Sequence, residues 1–164
     1  YTEGDILPDG PASAKMIELM RNMLVREYKD DLYLFSAVSP DWLQPGKVIE
    51  VNNEPTSFGP VSALLSSSSA GLEVKLSDNF RQAPDHVIIR LPWFYEVRNV
   101  TADSKQIRVR DGEFVLSPGI RKIIISGELK PGTTEMSYSN TVRDYQIEYR
   151  KRFAEFLKTG KIRP

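Results

Sequence analysis

The stretch Leu72-Glu73-Val74-Lys75-Leu76-Ser77 places an apolar side chain at every second position, with charged or polar side chains between them. Successive side chains of a β-strand point to opposite faces, so this alternation predicts a strand with one face in a core and the other in water. Similar short runs recur through the middle of the chain at intervals of about ten residues. The chain is therefore expected to be mainly β.

Strand-like runs extend on both sides of this segment. Several are separated by Pro-Gly or Asp-Gly turn pairs, at Pro45-Gly46, Asp111-Gly112, Pro118-Gly119 and Pro131-Gly132. We predict strands at Leu32–Val38, Val48–Asn52, Val61–Ser67, Leu72–Ser77, His86–Leu91, Glu96–Thr101, Gln106–Val109, Glu113–Leu116 and Arg121–Glu128. A βαβ architecture would need helices between these strands, so the pattern favours an antiparallel β-sandwich of about eight or nine strands.

The segment Ala12–Tyr28, before these strands, has helical periodicity. Met16, Met20 and Met23 fall on its broad apolar side, which predicts an amphipathic helix at the N-terminus. The expected organisation has three parts: a linker and helix over residues 1–30, a β-sandwich domain over 31–132, and a C-terminal helix and tail over 133–164.

A second amphipathic helix is predicted from Thr141, with Lys158 and Gly160 suited to its end. Residues 140–164 contain seven basic and three acidic residues, a net charge of +4, so the rest of the chain carries −4. The favoured interpretation is that this basic helix docks on the acidic body of the same chain. Binding to nucleic acid or phospholipid is the alternative.

Charge and composition exclude several kinds of site and partner. The chain has 22 basic and 22 acidic residues and a net charge of zero, so no overall field attracts nucleic acid or an anionic membrane. No apolar run approaches the roughly 20 residues that span a bilayer. With no cysteine and one histidine, disulfides, thiolate metal sites and paired imidazoles are excluded. We expect no metal, no cofactor, no nucleic-acid partner and no membrane partner.

No residue is marked as catalytic by its surroundings. His86 begins an apolar strand beside Asp85, which is typical of a structural or surface histidine. A glycosidase needs only two carboxylates, and the candidates are Asp30, Asp31, Asp41, Glu50, Glu54, Glu73 and Asp85. Because nothing distinguishes a pair among them, the chain alone is expected to have no enzymatic activity.

The aromatic residues are the more informative candidates for binding. Trp93, Phe94 and Tyr95 are consecutive, and the side chains of a strand alternate, so at least one of them is expected to reach the surface. Sugars stack on aromatic rings through their CH faces. Trp93 and Tyr95 are therefore the candidate carbohydrate-binding residues, and an aromatic patch that packs between domains is the alternative. Trp42, between two prolines, is expected at a domain junction.

Four stretches in the first part of the chain carry a family resemblance: Met23–Glu27, Asp31–Val38, Asp41–Lys47 and Asn53–Ser62. Together they resemble the C-terminal region of large bacterial glycoside-hydrolase-like proteins. In that group an (α/α)6 toroid holds the active site, and its last helix leads into a C-terminal β-sandwich. The segments Ile88–Pro92 and Val97–Thr101 resemble the same group more weakly.

The resemblance implies an accessory role for this chain. It implies a non-catalytic β-sandwich that braces an upstream (α/α) catalytic domain of the same polypeptide and contacts polysaccharide, in a secreted or periplasmic parent protein. Met16, Met20, Met23 and Trp42 would lie at the interface between the domains. The start at Tyr1, without a signal-peptide pattern, favours a segment of a longer protein. The isolated segment would then expose apolar surface and self-associate.

Two other functions remain open at the level of sequence. One is a self-sufficient carbohydrate-binding module, which would need an exposed aromatic surface. The other is a small hydrolase that uses two carboxylates.

Overall fold

The computed structural model describes residues 10–110, 112–133 and 138–160. Within these residues the chain forms ten strands in two sheets. The elements are α1 (Gly10–Leu24), β1 (Val25–Tyr28), β2 (Asp31–Leu34), β3 (Val48–Glu54), β4 (Val61–Ser68), β5 (Gly71–Asp78), β6 (His86–Arg90), β7 (Tyr95–Ala102), β8 (Lys105–Ile107), β9 (Glu113–Leu116), β10 (Lys122–Leu129) and α2 (Tyr138–Thr159). One sheet has the order β1-β2-β6-β9, and the other has the order β3-β4-β5-β10-β7-β8.

Both sheets contribute side chains to one hydrophobic core. The largest fully buried side chains include Leu32, Leu34, Ile89, Phe114 and Leu116 from the four-stranded sheet and Leu65, Val74, Ile123 and Ile125 from the six-stranded sheet. This arrangement confirms the predicted mainly β sandwich with a helix at each end. Each of the nine predicted strands is present, with ends that differ from the prediction by a few residues.

The alternating stretch that predicted the fold is a central strand. In β5, Leu72, Val74 and Leu76 are buried, while Lys75 and Ser77 are exposed. β5 pairs antiparallel with β4 on one side and with β10 on the other. Its apolar face is therefore fixed toward the core by hydrogen bonds along both edges.

The predicted helix over Ala12–Tyr28 is wrong in its last four residues, because the helix ends at Leu24. Val25–Tyr28 forms a strand that pairs antiparallel with β2 through a two-residue turn at Lys29 and Asp30. Val25 is buried in the core by this pairing. Four residues are too few for their periodicity to separate a helix end from a strand, so the tertiary pairing decides.

The sandwich is not wholly antiparallel. β2 and β6 pair in parallel, from Asp31 opposite His86 to Leu34 opposite Ile89. Between them the chain crosses to the other sheet and forms β3, β4 and β5. A parallel pair needs such a long connection, which period-two alternation within a single strand does not reveal.

Three of the predicted turns have the backbone that glycine allows. Gly46, Gly119 and Gly132 have φ values of 86°, 93° and 79°. These values lie in the left-handed region, which residues with a Cβ rarely adopt. In the fourth pair Gly112 also has a positive φ, of 76°, and Asp111 lies outside the described residues.

The chain divides into two units, one up to Lys130 that includes α1 and the sandwich, and one from Pro131. The linker over residues 1–9 and the tail over 161–164 lie outside the described residues. In the second unit α2 ends as predicted, since Gly160 has a φ of 67° and donates its N–H to the Phe156 carbonyl. Docking of this helix on the sandwich stays a prediction. None of the described helices has the length and apolar character required to cross a bilayer.

Candidate functional site

Of the three consecutive aromatic residues, Trp93 and Phe94 lie in the loop between β6 and β7, and Tyr95 begins β7. Trp93 is 72% exposed, whereas Phe94 and Tyr95 are buried. Backbone hydrogen bonds fix the loop, from Tyr95 N to the Pro92 carbonyl at 3.0 Å and from Lys130 N to the Phe94 carbonyl at 2.8 Å. The expectation that one of these rings reaches the surface is confirmed by Trp93.

A cavity of about 630 Å³ opens beside Trp93. Its polar lining residues include Ser36, Arg90, Glu96 and Lys130. The Lys130 ammonium lies 5.9 Å from the centroid of the Trp93 ring, within the range of a cation–π interaction. The Trp93 ring also meets the buried Phe94 ring edge to face, with centroids 5.8 Å apart. Trp93 is therefore an exposed ring in contact with Phe94 and Lys130.

Tyr95 forms a wall of the cavity and belongs to the core, since only 6% of it is exposed. The bare backbone of Gly127 leaves room for its ring, because a Cβ at Gly127 would lie 2.7 Å from Tyr95 Cε1. Burial raises the pKa of Tyr95 to about 12. Tyr95 therefore lies in the core instead of on the surface, and its part in carbohydrate binding stays a prediction. A binding role for Trp93 stays a prediction.

Two buried hydroxyl groups beside this cavity form no hydrogen bond within the described part of the chain, which is unusual for buried polar atoms. Among the described residues, Ser36 Oγ and Tyr95 OH are the buried side-chain atoms with no hydrogen-bond partner in the protein. Phe35, which precedes Ser36, has a φ of 59°, a left-handed conformation that is rare for a bulky residue. Unpaired hydroxyls and backbone strain both cost stability and are concentrated at functional sites. The cavity wall is therefore a candidate functional site.

A second depression, of about 1170 Å³, adjoins this cavity. The two share Arg90 and Val109, and the second is also lined by Arg108, Arg110 and Glu113. Arg90 Nε lies 3.3 Å from Glu113 Oε1. The sequence did not mark these arginines as a site, because β6 and the segment after β8 are distant in sequence and lie side by side only in the folded chain.

The predicted interface residues lie on α1 and on a short 3₁₀ helix over Pro40–Leu43. α1 has no buried residue, and every residue from 10 to 20 is exposed. Met16 and Met20 are 57% and 54% exposed, and Met23 is half-buried near the end of the helix. Trp42 is 38% exposed. Within the described part of the chain, the apolar side of α1 is uncovered.

Arg21 fixes the last turns of α1 to the sandwich. Its Nε donates to Glu54 at 2.7 Å, and its Nη2 donates to Glu27 at 2.9 Å and to the Pro55 carbonyl at 2.8 Å. Glu27 also accepts hydrogen bonds from the backbone N–H and the hydroxyl of Ser57. Arg21 and Glu27 are half-buried, so salt screens them less than an exposed pair. The helix therefore leaves the sandwich in a fixed direction.

No known protein family, curated protein or solved structure matches this chain.

His86 lies at the start of β6 and pairs with a carboxylate. Its Nδ1 is 2.9 Å from Asp31 Oδ1, and its side chain is more than half exposed. The two residues face each other at the start of the parallel β2–β6 pair. This geometry supports the interpretation of His86 as a surface histidine. Among the described residues, no cluster of three or more His, Asp or Glu side chains is placed to hold a metal ion.

Two of the candidate carboxylates are engaged with cations. Glu54 pairs with Arg21, and Glu73 contacts Lys75 at 3.3 Å and Lys122 at 2.9 Å. Hydrogen bonds from Lys122 and Lys75 hold the pKa of Glu73 below its ordinary value. Glu73 is therefore set up as an ionised partner in ion pairs, whereas a general acid needs a raised pKa.

The Arg21–Glu27 contact predicts an acid-sensitive contribution to stability. Burial alone would raise the pKa of Glu27, but hydrogen bonds from Ser57 and Arg21 outweigh it and hold the pKa below the ordinary 4.5. Such a group stabilises the fold above its unfolded pKa, and this contribution is lost as pH falls through the lower folded pKa. We expect Glu27→Gln to cost about 1 kcal/mol at neutral pH. Between about pH 5 and pH 3, it should then lose less stability than the unchanged protein.

Urea unfolding across this pH range measures the difference. Glu50→Gln is the matched control, because Glu50 is an exposed carboxyl on β3. It should leave the acid-dependent loss as large as in the unchanged protein. The same pH dependence in Glu27→Gln and in the unchanged protein would show that Glu27 does not carry this contribution.

Proposed function

We propose that this chain is a non-catalytic accessory β-sandwich of a carbohydrate-active enzyme and braces an (α/α) catalytic domain of the same polypeptide through α1. The observation that carries the proposal is the uncovered apolar side of a helix that is firmly attached to the sandwich. The family resemblance of the first part of the chain supplies the class of enzyme.

The sandwich packs against only the last residues of α1, from Arg21 to Leu24. The helix has 15 residues, a length at which an isolated helix is marginal in water, and most helical stability in proteins comes from packing of an apolar side. Residues 10–20 are exposed within the described part of the chain. Burying Met16, Ile17, Leu19 and Met20 against a partner would supply the missing packing.

A helical partner suits this surface. The exposed apolar side chains of α1 are long and unbranched or γ-branched, apart from Ile17, and they recur at spacings of three and four residues. Side chains at these spacings form the ridges that pack into the grooves of another helix. The contacts of Arg21 with Glu27 and Glu54 fix the direction of α1. Because α1 is held in one direction, a domain that docks on it would have a fixed orientation relative to the sandwich. Bracing requires such a fixed orientation.

A self-sufficient carbohydrate-binding module is the second candidate, and the exposed Trp93 ring beside a cavity favours it. A single ring stacked on a sugar contributes on the order of 1 kcal/mol, so one such ring supports only weak, roughly millimolar binding. Weak binding through Trp93 is compatible with an accessory domain as well. The two candidates differ in whether α1 docks on a partner domain.

The double variant Met16→Lys, Met20→Lys tests the role of α1. If the apolar side of α1 is an interface, the isolated chain should self-associate through it, and the two lysines should reduce the dimer seen by sedimentation velocity. The melting temperature should change by less than about 2 °C, since both side chains are exposed.

Glu18→Lys is the matched control, because it adds the same charge of +2 on the polar side of α1, where Glu18 pairs with Lys15. It should leave the dimer in place. A chain that stays monomeric at high concentration, or a dimer that the methionine variant leaves unchanged, would count against an interface on α1. A large fall in melting temperature would place the methionines in the core of the sandwich.

A further inference from the structure

We propose that the cavity beside Trp93 and the adjoining arginine-lined depression form one groove, hereafter the Trp93–Arg groove, that binds an acidic glycan. Its ligand is a chain of sugar rings that carry carboxylate or sulfate groups. The proposal rests on the proposed carbohydrate-related function and adds the chemical class of the glycan. Arg90 and Val109 line both depressions, which makes the groove continuous.

One end of the groove suits the apolar face of a sugar ring. Trp93 is largely exposed, and its ring contacts the buried Phe94 ring edge to face. Lys130 lies over the same ring and lines the same cavity. A sugar stacked on Trp93 would therefore have an ammonium group close to its substituents. An aromatic ring beside an ammonium group favours a sugar ring with a negatively charged substituent over a neutral sugar ring.

The other end of the groove suits oxyanions. Arg90, Arg108 and Arg110 line it, and a guanidinium matches a carboxylate or sulfate with two parallel hydrogen bonds. Glu113 Oε1 lies 3.3 Å from Arg90 Nε, so the carboxylate partly offsets the charge of Arg90. The described lining residues of the whole groove include four cations, Arg90, Arg108, Arg110 and Lys130, and two carboxylates, Glu96 and Glu113. The described lining therefore has more cations than carboxylates, in a chain of zero net charge.

A glycan fits these features better than a nucleic acid. Nucleic acids bind to surfaces that neutralise many phosphates, whereas this chain is neutral overall and the described groove lining includes two carboxylates. Single-stranded nucleic acid also needs a series of aromatic rings for successive bases, and the groove offers one exposed ring. One ring followed by spaced guanidinium groups matches a polymer with sugar faces and regularly spaced acids.

Isothermal titration of the chain with three hexasaccharides tests the proposal. The probes are a galacturonate oligomer with carboxylates only, a sulfated galactan oligomer with sulfates only, and a neutral cello-oligomer. We expect at least one acidic oligomer to bind about tenfold or more tightly than the neutral one. Raising the salt concentration from about 0.05 M to 0.5 M should weaken this binding, because the arginines are exposed to solvent.

Variants locate the binding. The double variant Arg108→Gln, Arg110→Gln should weaken binding of the acidic oligomer about tenfold, and Trp93→Ala should weaken it by a similar factor. The control Arg81→Gln removes the charge of another exposed arginine, outside the groove lining, and should leave affinity unchanged. Circular dichroism of each variant establishes that the fold is intact.

Each outcome has a distinct meaning. Preference for the carboxylated or the sulfated oligomer identifies the acid group, whereas equal binding of the neutral oligomer overturns the acidic class. The groove is excluded if the double arginine variant behaves like Arg81→Gln. A single-stranded oligonucleotide that binds more tightly than every glycan overturns the glycan as ligand class. Glycan binding that survives Met16→Lys, Met20→Lys separates the groove from α1. Absence of glycan binding with α1-dependent self-association would overturn the groove alone.

Discussion

Replacing Gly127 by alanine is expected to lower the free energy of unfolding by about 3 kcal/mol. A Cβ at Gly127 would lie 2.3 Å from the Glu96 carbonyl oxygen and 2.7 Å from Tyr95 Cε1. The Glu96 backbone cannot move aside without cost, because seven residue pairs in total join β7 to β10, and they lie on both sides of Glu96. Urea unfolding at neutral pH measures the loss.

Gly10→Ala is the matched control, because a Cβ at Gly10 meets nothing within 4 Å and its φ is not positive. Its effect should stay within about 0.5 kcal/mol. The two substitutions add the same methyl group, so the difference between them reports the space around Gly127. An effect at Gly127 as small as that at Gly10 would mean that β7 shifts freely, and that the wall formed by Tyr95 is not fixed.

An irregularity in the pairing beside Gly127 explains why the burial of Tyr95 was not predicted from the sequence. The register between β10 and β7 shifts between Ser126 and Gly127, which marks a β-bulge. Strict alternation through β7 would place Asn99 on the same face as Tyr95 and Val97. The bulge changes the phase, so that Val100 and Ala102 are buried instead. The alternation of a single strand cannot show a bulge that depends on the pairing of two strands.

The fold was predictable where the signal is local. Alternation in a strand such as β5 and glycines in turns such as Gly46 and Gly119 are set by neighbours in sequence, and the strands they predicted are present. Features set by distant pairings were not predictable. β1 becomes a strand only because β2 lies beside it, and the parallel β2–β6 pair depends on a connection through the other sheet.

The candidate site also has one feature that was predictable from local sequence and one that depends on distant pairings. An exposed ring among Trp93, Phe94 and Tyr95 follows from alternation, and the structure identifies it as Trp93. Arg108 and Arg110 of the Trp93–Arg groove follow β8 and lie 18 and 20 positions after Arg90, which is on β6. No spacing rule joins such positions. Their proximity arises because β9, which follows the turn after Arg110, pairs with β6 through Arg90 and Glu113.

Replacing Phe35 by alanine is expected to lower the free energy of unfolding by about 4 kcal/mol, the largest effect predicted for this chain. Phe35 is fully buried in the core, directly after β2. Its φ of 59° is disfavoured for alanine as well, so the substitution removes the buried ring without relieving the backbone. Urea or thermal unfolding measures the loss.

Two further variants separate the ring from the backbone. Phe80→Ala removes the same ring from a half-buried position and should cost about half as much. Phe35→Gly removes the buried ring and also permits the left-handed φ, so it should be no less stable than Phe35→Ala, although glycine ordinarily costs more than alanine. A glycine variant clearly less stable than the alanine variant would show that the backbone before Ser36 is not strained. In that case the cavity wall would hold unpaired hydroxyls alone, without stored backbone strain.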